Sequence, residues 1–340
     1  VCSSDLKDIN MNIKKIGMSA LAGSLVAISA NAAEMSVSGN AKVTYVTNSG
    51  GSPSMKDSVT GSPIGFDQFL GFNGSADNDY GTVALYTGFN VHGMAKSSSK
   101  LTIDMGDAGL IGFDGGTASF GLNAHKDMLP RAAGAEQAWD DTAGDAYTSG
   151  EATTGNIAYV NSFSGVDMHL VYAKNGGGNS ADDSSTPGGD DSDKTIVVKT
   201  GTLAPGLMVG AGHGKIDDTT SVDTETQSMA FLTYAIGPVT LGAQVADHDK
   251  AGDDEEITML GIALNVNENI SLSYNQREVA LGDQVGSTAG TKVDHEDTGI
   301  AASYTMGGMT VSAFRNEAAN VGGTSGKDDQ RTQVALSFAF

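Results

Sequence analysis

Apolar and polar residues alternate along most of this chain. Over its last residues Val334, Leu336, Phe338 and Phe340 share one side of a period-two strand, while Gln333, Ala335, Ser337 and Ala339 take the other. The pattern is already present at 34–47, where Met35, Val37, Ala41, Val43 and Tyr45 oppose Ser36, Ser38, Asn40, Lys42 and Thr44. It predicts about sixteen strands: 34–47, 64–75, 79–92, 100–114, 117–125, 155–163, 165–175, 193–203, 206–216, 226–236, 238–247, 256–266, 269–278, 297–306, 309–316 and 329–340. Most are near the roughly 9–11 residues that cross a bilayer at a tilt.

The connections alternate too. Short ones carry turn chemistry: Gly115-Gly116, Ser164-Gly165, Ala204-Pro205, Gly237-Pro238, Asn267-Glu268 and Gly307-Gly308. Long ones fall at 48–63, 126–154, 176–192, 217–225, 248–255, 279–296 and 317–327. Short turns on one rim and long loops on the other are expected of an all-β, transmembrane antiparallel barrel. Phe72, Tyr80, Phe163, Tyr234, Tyr304 and Phe340 lie near the short turns and predict one interfacial girdle. A soluble all-β fold would need large apolar side chains inside. The inner series reads Ser, Asn, Lys, Thr, Gln and Gly, and a barrel this wide keeps a water channel.

Composition narrows the class. Nineteen Lys and Arg against 41 Asp and Glu give a net charge of −22, which argues against nucleic-acid binding. No later stretch is apolar enough for a spanning helix. Residues 1–10 resemble translated adapter DNA and are read as a non-native leader. From Met11, a basic start (Lys14, Lys15), an apolar stretch 16–28 and Ala30-Asn31-Ala32 have the three parts of a secretory signal, so 11–32 is expected to be a signal peptide and 33–340 the barrel. The only cysteine, Cys2, precedes that signal, so no disulfide is expected after it.

Ala108-Gly109-Leu110-Ile111-Gly112-Phe113-Asp114-Gly115-Gly116-Thr117-Ala118-Ser119-Phe120-Gly121 and Gly155-Asn156-Ile157-Ala158-Tyr159-Val160-Asn161-Ser162-Phe163-Ser164-Gly165-Val166, in order with the terminal phenylalanine, resemble Gram-negative general porins. The resemblance implies a sixteen-stranded, homotrimeric outer-membrane barrel. It implies passive diffusion of ions and small hydrophilic solutes, surrounding outer-membrane lipids, and recognition of the C-terminal strand by the barrel-assembly machinery. It also implies that the third loop, 126–154, folds into the lumen. That loop carries Asp127, Glu136, Asp140, Asp141, Asp145 and Glu151, which are expected to form the constriction.

Strand parity places Lys42, Lys199, Arg277 and Arg331 on the inner wall, with Lys126 and His125 near the loop start; the parity of Arg315 is ambiguous. Where relatives commonly carry an arginine after the glycine ending the fifth strand, this chain has Leu122. A weakly basic wall facing an acidic loop predicts cation preference. Trp139 is expected to anchor the loop by packing.

Other chemistry finds little support. Asp182-Asp183, Asp190 to Asp193 and Asp253 to Glu256 lack the spacing of a calcium loop, so at most weak calcium binding and no resident cofactor is expected. The six histidines show no zinc spacing and no Gly-x-Ser-x-Gly elbow occurs, so a barrel enzyme is disfavoured. A substrate-selective channel with an aromatic ladder would need lumen aromatics, and most aromatics fall on the outward parity.

Overall fold

The computed structural model describes residues 34–50, 62–140, 142, 151, 154–174, 192–217, 225–249, 254–281 and 292–340. Sixteen strands form one closed antiparallel barrel: β1 Glu34–Gly50, β2 Ile64–Asn78, β3 Gly81–Asn90, β4 Ala95–Asp104, β5 Leu110–Gly115, β6 Thr154–Phe163, β7 Val166–Lys174, β8 Ser192–Thr200, β9 Leu207–Ile216, β10 Glu225–Ile236, β11 Val239–Asp249, β12 Glu255–Asn265, β13 Ile270–Ala280, β14 His295–Met306, β15 Met309–Ala319 and β16 Asp329–Ala339. Each strand pairs with its neighbours in sequence, and β16 returns to β1 from Asn40 opposite Ala339 to Gly50 opposite Asp329. Phe340 completes the seam. Its N–H donates to the Gly39 carbonyl at 3.0 Å, and its own carbonyl accepts from the Gly39 N–H at 2.8 Å. A Cβ on Gly39 would stand 2.6 Å from the Phe340 ring, so this position has no room for a side chain.

Closure satisfies the backbone within the wall, the condition for strands to cross hydrocarbon. Alternation then sends apolar residues outward. Val37, Phe66, Leu85, Ile157, Leu260 and Ile300 are all exposed on the outer face. A row of exposed large apolar side chains around the whole cylinder is what lipid covers and water does not. Phe72, Tyr80, Phe163, Tyr234, Tyr304 and Phe340 are exposed near the short-turn rim. Arg315 also points outward, paired with Glu317 at 2.6 Å.

One hairpin differs from the expectation. The strand expected at 100–114 is two: β4 ends at Asp104 and β5 starts at Leu110. The turn between them has Gly106 and Gly109 at positive φ, with Asp104 Oδ1 accepting the Gly106 N–H at 2.9 Å. Residues 117–125 are not a strand. Asp114 accepts the N–H groups of Gly116, Thr117 and Ser119 at 2.9, 2.6 and 2.9 Å, which turns the chain off the wall. Gly115-Gly116 therefore opens the long loop 116–153 instead of closing a hairpin, and the strand total is unchanged.

Among the described residues the interior has no continuous core. Apolar packing gathers where loop 116–153 meets the inner wall: Leu122, Leu129, Ala138 and Trp139 from the loop against Val197, Met229, Ala246, Ile257, Met259 and Val279. The inner series is thus polar on one side of the barrel and partly apolar on the other. Residues 1–33 lie outside the described residues, and with them the leader, the signal and Cys2.

Candidate pore constriction

The loop enters the lumen at Gly116 and runs along the inside of the wall. Leu122, fully buried, is its first anchor. A Cβ on Gly212 or Gly214 would stand 2.7 or 2.8 Å from the Leu122 methyls, so β9 needs glycine there for the loop to lie this close. Leu122 is therefore an apolar anchor that adds no charge to the wall. Farther on, Gln244 donates to the carbonyls of His125 and Lys126 at 3.0 Å each and accepts the Met128 N–H at 2.9 Å. Asn275 donates to the Pro130 carbonyl at 2.9 Å, and Ser271 accepts the Ala133 N–H at 3.0 Å. Asn316 donates to the carbonyls of Gln137 and Asp140 at 2.7 and 3.0 Å. Wall amides from β11, β13 and β15 thus take up loop carbonyls that have no strand partner.

Glu136 reaches Lys42 on β1 at 3.8 Å, both half-exposed to the lumen. This contact brings together an expected loop carboxylate and an expected wall base. Asp140 is half-buried, and its Oδ2 accepts the Gln137 N–H at 2.9 Å. Asp127 is half-buried, and burial raises its carboxyl above the ordinary range against a smaller lowering by Lys126. Asp141 and Asp145 lie outside the described residues.

Glu151 does not line a passage. It is 2% exposed, and its Oε2 accepts the N–H groups of Leu122 and Asn123 at 2.6 and 3.4 Å while Asn123 donates back to its carbonyl at 2.6 Å. It ties the returning end of the loop to its start. Burial pushes its carboxyl up to about 7 despite those donors.

The wall bases divide in the same way. Arg277 points inward as parity requires, but it is fully buried. Its guanidinium meets Asp297 at 2.6 Å and lies 5.4 Å from the Trp139 ring centre, so its charge is covered and neutralised. Asp297 also meets His295 at 3.0 Å. Trp139 packs as expected, 7% exposed. Arg331 faces inward and donates to Gln333 at 3.1 Å. Lys199 faces inward on β8, half-buried. Lys126 belongs to the loop and not to the wall, closing the short helical turn Asn123–His125. His125 is buried and stacked on Phe231, and burial lowers its pKa, so it is no substitute wall base.

Lys100 on β4 is a lumen base that sequence reasoning missed. Its Nζ donates to Ser119 Oγ at 3.0 Å beside the Phe120 ring. The signal was available: Ser98, Lys100 and Thr102 alternate with Ser99, Leu101 and Ile103, and misplacing the turn hid it. Among the described residues no three His, Cys, Asp or Glu gather as a metal site. Most of the acidic runs at 182–191 and 253 fall outside them.

The family model for Gram-negative porins matches residues 17–340. Similar solved structures include a porin refined at 1.8 Å (TM-score 0.61, 16% identity, covering 90% of this chain and 100% of that one). An anion-selective porin from Comamonas acidovorans matches with TM-score 0.59 and 13% identity over 91% of this chain and 100% of its own. Salmonella typhi OmpF in complex with daunomycin matches with TM-score 0.60 and 15% identity over 90% and 97%. At these identities the structures speak for the fold. No curated protein matches the chain in sequence.

Proposed function

The chain belongs to the Gram-negative porin family and is an outer-membrane channel, and on that footing we propose that it conducts small cations in preference to anions. The observation that carries this reading is the pairing of two of the wall bases with carboxylates. Lys42 is matched by Glu136, and Arg277 is matched by Asp297 and sealed beneath Trp139. Leu122 supplies no charge. Asp127 and Asp140 then set the sign of the narrow passage, with Lys100, Lys199, Arg331 and Arg131 as partial offsets. A confined passage lined by one sign concentrates counter-ions.

The solutes are ions and small hydrophilic molecules passing by diffusion. Three copies assemble side by side, and the barrel-assembly machinery recognises strand β16. The reversal potential in a KCl gradient tests the selectivity: potassium preference is expected, and chloride preference overturns it while leaving the channel intact.

A further inference from the structure

Six aromatic side chains belong to the lumen side among the described residues: Phe69, Tyr86, Phe120, Trp139, Phe231 and Phe314. Phe120, Trp139, Phe231 and Phe314 are buried, at 6, 7, 4 and 4% exposure. Phe69 on β2 and Tyr86 on β3 are half-exposed. They lie on β2 and β3, to one side of the apolar anchors of loop 116–140, which pack on β5 to β14; the loop reaches this side only at its start, with Ser119 at Lys100, and at Glu136, which meets Lys42 on β1. Their rings converge on two facing glycines. A Cβ on Gly71 would stand 3.1 Å from the Tyr86 ring, and one on Gly88 would meet both Phe69 and the Tyr86 hydroxyl. The glycines let both rings lie against the backbone, and each ring stays partly exposed.

A partly exposed aromatic surface inside a wet channel carries a hydration cost that a partner ring would remove. Hydrogen-bonding groups frame it. Asn40 is directly across from Phe69, and Ser38 from Gly71. Asn73 and Lys100 flank Tyr86, and Ser98 faces Gly88. On the Tyr86 side the floor borders a recess of about 990 Å³ lined by Ser36, Asn73, Tyr86, Ser98, Lys100 and Ser119, the size range of small-molecule sites; Phe69 stands beside it, outside the lining.

We propose that Phe69 and Tyr86 form the stacking floor of a solute subsite for a pyranose ring. Such a ring has an apolar C–H face to lay on the aromatics and hydroxyls around its edge for Asn40, Asn73, Ser38 and Ser98. Neutral partners outnumber the adjoining charges, which are of both signs: Lys100, already held by Ser119, Lys42 with Asp67 one inward position beyond Asn40 and Phe69, and Glu34 at the edge of the recess. That balance favours an uncharged, hydroxylated ring over an aromatic anion. The proposal rests on the chain being an open channel.

Single-channel recording in planar bilayers with the full-length barrel tests it, using maltotriose and benzoate as probes. KCl steps report the open channel first, and their absence overturns the channel reading and the subsite together. With steps present, maltotriose is expected to interrupt the current in proportion to its concentration. Phe69→Leu with Tyr86→Leu is expected to raise the half-blocking concentration about tenfold, the equivalent of one or two lost ring contacts. Tyr86→Phe, which keeps the ring, is expected to retain most of the block. The proposal is overturned if maltotriose leaves the current undisturbed, if benzoate alone blocks, or if the double leucine variant still conducts and is blocked as before.

Discussion

Two halves of one inner wall solve different problems. The half from β8 to β15 carries the loop, so its inward residues are apolar, small or amide-bearing: Val197, Met229, Gly212, Gly242, Gln244, Asn275 and Asn316. The half from β1 to β4 meets the loop only through two polar contacts, Lys42 with Glu136 and Lys100 with Ser119, and reads Ser36, Ser38, Asn40, Lys42 and Thr44 on its first strand. The outer faces of both halves are alike. Membrane crossing therefore dictates the outward residues everywhere, and the inward ones record only what each sector holds. A substitution inside the barrel is costly where it unseats the loop and mild where it faces water.

The largest effect is expected at Arg277. It is fully buried with Asp297, so removing one partner leaves an uncompensated charge, at a cost of about 3–5 kcal/mol. Arg277→Leu is expected to lower the thermal midpoint of the barrel sharply and loosen the loop under Trp139. The double change Arg277→Leu with Asp297→Leu is expected to recover much of the loss. Lys100→Met, on the other half, removes a single part-buried hydrogen bond to Ser119 and is expected to move the midpoint little. An equal loss in both halves, read by thermal denaturation in detergent, would dissolve the contrast.

Leu122→Ala comes next. It empties a fully buried position between Gly212, Gly214, Val197 and Met229, and such changes cost about 2–5 kcal/mol. The local readout is conductance. A loop held less firmly is expected to give larger and noisier current steps. Unchanged steps would mean that the amide contacts from Gln244, Asn275 and Asn316 suffice to hold it.

The sequence made the outer half of this design legible and the inner half only in part. Hydrocarbon imposes a period of two on every strand, so most of the strands, five of the six short turns and the aromatic rim could be read residue by residue. The loop interface has no period. Its contacts join residues more than a hundred positions apart, such as Gln244 with Lys126 and Asn316 with Gln137, and parity says only that these side chains point inward. Arg277 illustrates the limit: parity places it on the inner wall, but nothing local says that Asp297 and Trp139 will cover it. Glu151 reads as one more acid of an acidic loop until Leu122 and Asn123 are seen to donate to it. Asp114 misled in a different way, since Asp-Gly-Gly is equally good chemistry for a hairpin and for a chain leaving the sheet.

The clamp at Glu151 gives the pH dependence its sign. Its native carboxyl titrates near 7, above the ordinary value of 4.5, because burial disfavours the charge. The folded protein then holds a proton that the unfolded chain releases. Stability is expected to rise as pH falls from about 7 to about 4.5 and to level off below that, by at most roughly 3 kcal/mol. Glu151→Gln keeps a carbonyl oxygen for the Leu122 N–H and carries no charge, so its melting curve is expected to be flatter over that window. A variant with the same slope as the parent would place the pH response elsewhere.

The smallest effect on stability, and the clearest on transport, is expected at the contact between the two halves. Lys42 and Glu136 meet at 3.8 Å with both side chains about one-third exposed, and solvent-screened pairs of this kind contribute no more than about 1 kcal/mol. Their weight lies in the field across the passage. Glu136→Gln removes the carboxylate and uncovers the Lys42 ammonium, so the reversal potential in a KCl gradient is expected to move toward chloride. Lys42→Gln removes the base and uncovers the acid, and the potential is expected to move the other way. Opposite shifts of comparable size, with melting points nearly unchanged, would establish the pair as part of the selectivity filter. Shifts of one sign, or a large loss of stability in either variant, would make the pair a tether for the loop and would extend the load-carrying half of the wall as far as β1.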